Sequence, residues 1–488
     1  MAGSHTDGGK SEKSPLKALL SQTLVYGLST VFVRLLNYVL VPIHTNVFED
    51  QGDYGIISEL YAWVTFLNII FIYGMETAFF RFANKEGNPA KVFGAAFGSL
   101  LVSTTLFTTA LIIGAGGIAN FLALTGHQNF IILFALIIGL DSLSAIPFAW
   151  LRHQSKPLTY MGIKLLNVLV NVGLNVYFLL GPTYNPEVGV EYVFIANLVA
   201  SGVTMLALLP LIIKIRPSFD FALWKKMMVY GSPFILAGLA GMVNETIDRI
   251  MLPRILSGSI QENRAQLGIY SAVYKLSIFM TLAVQAFRMG AEPFFFRMAK
   301  KGNATEIYAL VMRAFVPIAC LMFLVVSLWL DYFGLIIGPN YREGLHVVPI
   351  LLMANLFLGV YYNLSVWYKL TDRTTKAIWL SLTGASLTIL LNLWLIPLIG
   401  YLGSAWATFI AYFVMAALSW SWGRKYYFVP YPVVKLLSMI GLAALLYLLY
   451  IQFEGQLNIT LQWFARFAIL FIFTSYAWWL DSKKLLKQ

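Results

Sequence analysis

Long apolar stretches, broken at intervals by short polar or turn-rich segments, run through almost the whole sequence. A bilayer core about 30 Å thick is crossed by about 20 apolar residues in helical form. Reading for such runs predicts fourteen spans, at 18–47, 56–82, 92–116, 128–151, 158–181, 190–213, 226–255, 266–290, 307–330, 345–368, 376–398, 400–422, 433–452 and 459–480. The eleventh and twelfth touch at Gly400. Residues 1–15 are polar and lack the apolar core of a signal peptide, so they are expected to form a cytoplasmic tail ahead of an uncleaved signal-anchor. No connecting segment exceeds about twenty residues, which leaves no loop domain for nucleotide binding or catalysis. Neither a Walker-type glycine loop nor an HExxH pair occurs.

The pattern repeats. Gly74, Glu76, Phe79, Phe80, Arg81, Ala83 and Lys85 recur 216 positions later as Gly290, Glu292, Phe295, Phe296, Arg297, Ala299 and Lys301. Gly55, Ile56, Ser58 and Tyr61 match Gly268, Ile269, Ser271 and Tyr274, and Val25, Tyr26 and Gly27 match Val229, Tyr230 and Gly231. Trp150, Arg152, Lys156 and Asn175 match Trp367, Lys369, Arg373 and Asn392. Shared apolar composition explains chance similarity between spans, but not charged and glycine positions matching in order. The repeating unit is six helices, an even number, so both copies cross the membrane in the same sense about an axis along its normal. The expected fold is an all-α membrane protein of fourteen transmembrane helices. Two parallel-related six-helix lobes, 16–216 and 217–424, face each other across a cleft, and a C-terminal pair of helices occupies 425–488.

Composition agrees with this reading. The 488 residues are 59% hydrophobic and 11% charged, with mean hydropathy +0.74, which excludes a soluble enzyme, a disulfide-rich secreted domain and a disordered chain. Cys320 is the one cysteine, so neither an intrachain disulfide nor a cysteine-based metal site is available. The formal charge of +12 changes the picture only through its placement. With the N-terminus inside, 25 of the 34 Lys and Arg fall in cytoplasmic segments and span ends, and three (Arg254, Arg264, Arg342) fall outside. Six lie within spans: Arg34, Arg249, Lys275, Arg288, Arg313 and Arg466. The excess is thus a topology signal with both termini cytoplasmic, and no nucleic-acid partner is expected.

An ionisable residue at membrane depth costs about 3 kcal/mol to insert, so it faces protein, water or substrate. Arg34 shares one face of the first span with Gly27, Thr30, Asn37 and His44, which reads as a wet wall. In the eighth span Ser271, Tyr274, Thr281, Gln285, Arg288 and Glu292 follow helical spacing down one side, with Lys275 beside them. The second span echoes this with Ser58, Thr65, Tyr73 and Glu76, and the seventh carries Glu245, Asp248 and Arg249. Packing is the alternative for the small polar residues, and Glu245 to Arg249 and Arg288 to Glu292 have the spacing of neutralising i,i+4 pairs. Asp141, followed by Ser142 and Ser144, suits a proton or cation, or a pair with a cavity base. Arg313 and Arg466 are near enough to span ends to snorkel to the inner and outer surfaces. His127, His153 and His346 lack ligand spacing, so no metal and no cofactor are expected. Basic groups lining a cleft suit an anionic headgroup such as pyrophosphate, whereas a drug-cation exporter needs carboxylates without nearby Arg.

The run Asn244-Glu245-Thr246-Ile247-Asp248-Arg249-Ile250-Met251-Leu252, followed after a short loop by Leu267-Gly268-Ile269-Tyr270-Ser271-Ala272-Val273-Tyr274-Lys275-Leu276, resembles the signatures of bacterial polysaccharide flippases. These belong to the multidrug/oligosaccharidyl-lipid/polysaccharide exporter superfamily, and Asp53-Tyr54-Gly55 is similar to the family's Tyr-Gly. The resemblance implies alternating access for an undecaprenyl-pyrophosphate-linked oligosaccharide in a bacterial inner membrane, the lipid tail staying in the bilayer. It further implies a cationic cavity, carried here onto Arg34, Arg249, Lys275 and Arg288, and a lipid groove formed with the last two helices. Glu245 departs from the family pattern and is placed to neutralise Arg249. Glu76, Asp141, Glu245, Asp248 and Glu292 are candidate coupling or gating residues, with H+ or Na+ as the ion. The expected partners are the lipid-linked oligosaccharide and membrane lipid, and the expected state is a monomer. The competing function is a cation-coupled exporter of the same fold. A membrane-embedded glycosyl- or acyltransferase is disfavoured by the short loops.

Overall fold

In a computed structural model, described for residues 35–485 except 183, 216, 217, 300 and 301, the chain is helical, with no strand among the described residues. The predicted tail, most of the first predicted span and Arg34 lie outside the described residues, as does the Glu292 side chain. Helix α1 is Leu40–Val47. Thirteen helices long and apolar enough to cross a membrane follow it. They are α2 (Gln51–Lys85), α3 (Pro89–Ile113), α4 (Gln128–His153), α5 (Pro157–Leu180), α6 (Glu191–Ile215), α7 (Phe221–Ile255) and α8 (Ile260–Met298). The remainder are α9 (Ala304–Leu328), α10 (Pro339–Leu370), α11 (Thr375–Ile399), α12 (Tyr401–Tyr426), α13 (Val433–Glu454) and α14 (Ile459–Leu480).

Each predicted span after the first has its helix, but α2, α7 and α8 run well beyond the predicted limits. The first turns of α8 carry Asn263 and Arg264, which hydropathy alone assigns to water. Both are buried instead. Ser259 and Glu262 form a capping box at the helix start, and Asn263 donates to the Pro253 and Leu256 carbonyls (3.1 and 2.8 Å). At the start of α7, Asp220 accepts from the Leu223 amide (2.9 Å) and pairs with Lys91 (2.7 Å). The Lys91 ammonium, and after it the Leu223 amide, hold the Asp220 carboxyl below the usual carboxylate range. Between α11 and α12 a single residue, Gly400, turns the chain at φ 59°, ψ −141°, a conformation that side-chain-bearing residues avoid.

Helices α2, α3, α4 and α6 pack in succession, with α5 on α6 and α1 on α5, while α7 to α12 pack among themselves. The two sets meet where α2 crosses α7 and α8. A Cβ added to Gly55 would lie 2.0 Å from the Arg264 carbonyl oxygen, and one added to Gly268 would lie 1.9 Å from that of Gln51. These are one contact seen twice, because Gln51 and Gly55 correspond to Arg264 and Gly268 in the repeat. Such reciprocity is what a two-fold relation between the copies produces, and glycine is what lets the backbones touch.

The distribution of polarity is that of a membrane protein. Large apolar side chains cover the perimeter, among them Ile113, Val434, Phe464 and Trp478, while Glu59, Asp248, Asn175 and Asn392 are buried. Helix α13 packs on α9, and α14 on both. Arg466, expected at the outer surface, is instead fully buried and ties these three helices together. It donates to the Tyr450 hydroxyl (2.7 Å) and reaches Asp331 (3.0 Å) and Glu454 (3.3 Å). Carboxylates from α13 and from the segment just after α9 come close enough to hold the guanidinium, so it need not extend to water.

A candidate substrate cavity

A cavity of about 680 Å³ lies between α1, α2, α5 and α6 on one side and α7, α8, α10 and α12 on the other. The polar face predicted on α8 borders it: Ser271, Tyr274, Lys275, Thr281, Gln285 and Arg288 are all lining residues. Midway along α8 the helix tightens to a 3₁₀ turn over Lys275–Ser277, a local change of pitch often found at functional positions. Asn37 just before α1 and His44 on it line the cavity as the wet-wall reading expects, and on α2 so do Ser58 and Thr65.

Three of the four predicted cations meet here. Arg249 rises from α7 and lies over the Tyr274 ring, 4.4 Å from its centroid. Arg288 lies over Tyr362 of α10 (4.6 Å). Lys275 has the Tyr38 ring 5.7 Å away and makes no hydrogen bond or ion pair among the described residues. A cation over an aromatic face is attracted by the ring without being neutralised by it. Glu245 also lines the cavity. The pairing of Arg249 differs from the expected one. Its guanidinium donates to the backbone carbonyl of Glu245 (2.7 Å), and its ion pair is with the Asp248 carboxylate (3.4 Å). Asp248 is itself fixed by the Tyr270 hydroxyl of α8 (2.6 Å), which brings its carboxylate to Arg249 from behind the wall.

The candidates Glu76, Asp141 and Asp248 do not border the cavity. Glu76 pairs with Arg152 of α4 (2.5 Å), within the first set of helices. Asp141 accepts from Ser201 of α6 (2.8 Å). Asp248 is buried against Tyr270 as described.

Sequence reasoning missed a buried carboxylate at the crossing of α2 with α7 and α8. Glu59, fully buried on α2, pairs with Arg264 (2.9 Å) and Arg254 (2.6 Å), and Arg264 also donates to the Ala123 carbonyl (3.0 Å) between α3 and α4. One carboxylate thus bonds two cations of the opposite set beside the Gly55 and Gly268 contacts. A glutamate inside an apolar run was the available signal. Also missed were Asn167, Asn171 and Asn197, which line the cavity from α5 and α6.

Residues 19–299, more than half of the chain, match the polysaccharide biosynthesis protein family. The chain belongs to that family. Among solved structures, this polysaccharide biosynthesis family member is similar to a lipid II flippase, MurJ, in an inward closed conformation. The TM-score is 0.70 at 13% identity, covering 95% of this chain and 100% of that one. It is also similar to the MATE multidrug transporter DinF-BH (TM-score 0.61, 16% identity, 87% of this chain and 98% of that one). An inward-facing MATE family transporter of the MOP superfamily gives a TM-score of 0.59 at 13% identity, covering 84% of this chain and 97% of that one. No curated protein matches by sequence. The likeness at these identities is one of fold, and it is the fold of multi-pass membrane transport proteins rather than of enzymes.

Proposed function

We propose that this family member is a flippase for an undecaprenyl-pyrophosphate-linked oligosaccharide, carrying it by alternating access from the cytoplasmic to the outer face of a bacterial inner membrane. The observation that carries this reading is the convergence of Arg249, Lys275 and Arg288 on one polar cavity at the interface of the two helix sets. A pyrophosphate has the charge and the acceptor oxygens that guanidinium and ammonium groups bind. Ligand cavities of about 300–1,000 Å³ hold compact molecules, so a cavity near 680 Å³ suits a short glycan headgroup, its lipid tail remaining in the bilayer. With both termini cytoplasmic by the distribution of Lys and Arg, the Glu59 crossing is the outer gate, closed in this state. The lobes are 16–216 and 217–424, with α13 and α14 as a lipid-facing appendix.

Glycan display in a strain lacking the flippase tests this reading. Arg249→Ala and Arg288→Ala, at normal expression, are expected to lower surface glycan at least about tenfold, the effect of losing a charged hydrogen bond. Unchanged display by both removes the cavity from the mechanism. A cation-coupled exporter is the second reading, supported by the likeness to MATE transporters and by the Asp141 carboxylate beside Ser201. Drug resistance conferred on a sensitive host and abolished by Asp141→Asn would favour it.

A further inference from the structure

The two walls of the cavity differ in chemistry. Every lining carboxylate, guanidinium and ammonium among the described residues comes from α7 and α8. The facing wall contributes amides: Asn37 from just before α1, Asn167 and Asn171 one turn apart on α5, and Asn197 from α6. Each of the last three is held by one neighbour. Asn167 donates to the Thr204 hydroxyl (2.9 Å), Asn197 donates to the Tyr61 hydroxyl (2.6 Å), and the Asn171 side-chain carbonyl accepts from Asn175 (3.1 Å). A primary amide carries two N–H donors and a carbonyl with two lone pairs, so one or two bonds orient it and leave further donors and acceptors for a ligand. His44 also lines this wall, its ring bonded to the Asn175 side chain (2.9 Å); Asp141 and Lys164, opposite in charge, do not line the cavity.

We infer that Asn37, Asn167, Asn171 and Asn197 form a second subsite, which binds the uncharged sugars nearest the pyrophosphate while α7 and α8 hold the pyrophosphate itself. This inference rests on the flippase reading and names the substrate class within it. Oriented amides match hydroxyl and acetamido groups, which both donate and accept. Among the described residues no guanidinium or ammonium lines this wall, so a uronic acid there would set its carboxylate against a surface where they offer it no cation, leaving a charge desolvated without compensation.

The experiment uses the full chain in lipid nanodiscs, titrated with three probes and read by intrinsic tryptophan fluorescence. The probes are undecaprenyl pyrophosphate, the same lipid bearing one N-acetylglucosamine, and the same lipid bearing one glucuronic acid. The neutral sugar is expected to tighten binding about tenfold over the bare lipid, the equivalent of one or two hydrogen bonds, and the acid is expected to give no gain. Replacing Asn171 and Asn197 together by Ala should erase that gain and leave the affinity for the bare lipid unchanged. Equal affinity of the wild-type chain for all three lipids overturns the subsite, as does a gain that the double variant retains or a loss it shares equally among the probes. If the bare lipid does not bind, or binds independently of Arg288, the flippase reading fails and the subsite with it. If it binds through Arg288 and the sugar makes no difference, the subsite alone fails.

Discussion

Glu59 on α2 and Lys275 on α8 both lie well inside apolar helices, yet one is enclosed by two arginines and the other borders an open cavity. The Glu59 carboxylate has a cation on each oxygen, and Arg264 uses its remaining donors on backbone carbonyls. Nothing in that cluster is directed toward a ligand. Among the described residues Lys275 has an aromatic ring beside it and no carboxylate partner, at a point where the helix changes pitch. A charge at membrane depth is therefore no sign of a binding site by itself. What separates the two cases is whether the protein supplies the counter-charge. In the first the charges hold two halves of the molecule together, and in the second the described residues supply no counter-charge.

Variants at four positions break or sharpen this contrast. Glu59→Gln leaves the buried Arg264, with the more exposed Arg254 beside it, without a carboxylate and should cost the most stability, about 3–5 kcal/mol, measured as a fall in the unfolding midpoint of the purified protein. A cost below about 1 kcal/mol would mean that the crossing is held by other contacts. Gly268→Ala forces a methyl group into the Gln51 carbonyl and should cost about 2 kcal/mol, the effect of overpacking, with the same measurement as check. Glu76→Gln breaks a pair whose side chains are about one-third exposed (36% for Glu76, 32% for Arg152), so its effect should stay below about 1 kcal/mol. Lys275→Met should leave the unfolding midpoint unchanged while reducing glycan display about tenfold. A destabilised Lys275→Met with normal export would erase the distinction between lock and cavity.

The α8 face was legible in the sequence because a helix fixes which residues share a side: 3,4 spacing of polar residues within an apolar run selected Ser271, Tyr274, Thr281, Gln285 and Arg288 together, and all line the cavity. The same logic applied to α2 selected Glu76, whose partner Arg152 satisfies it away from the cavity, and passed over Glu59. The amides of α5 recur every four residues at Asn167, Asn171 and Asn175, a periodic signal hidden only by their lack of charge. Partner choice was less legible. Four-residue spacing allowed Glu245 to neutralise Arg249, but the ion pair formed is with Asp248, because Tyr270 from the next helix fixes that carboxylate in reach. Likewise Arg466 has the sequence of a residue near a span end, and the acceptors that bury it come from three separate positions outside its own helix.

The sequence by itself determined the class of protein, the thirteen membrane-length helices that follow α1, the internal repeat and the polar face of α8. These depend on local composition and on a period of 3.6 residues that no neighbour can alter. Tertiary structure decided which charges answer each other and which stay open to a cavity. The reason is physical: an ion pair at membrane depth depends on the approach of two helices to within a few ångströms. Here that approach is set by glycines at 55 and 268, which meet residues more than two hundred positions away in the chain.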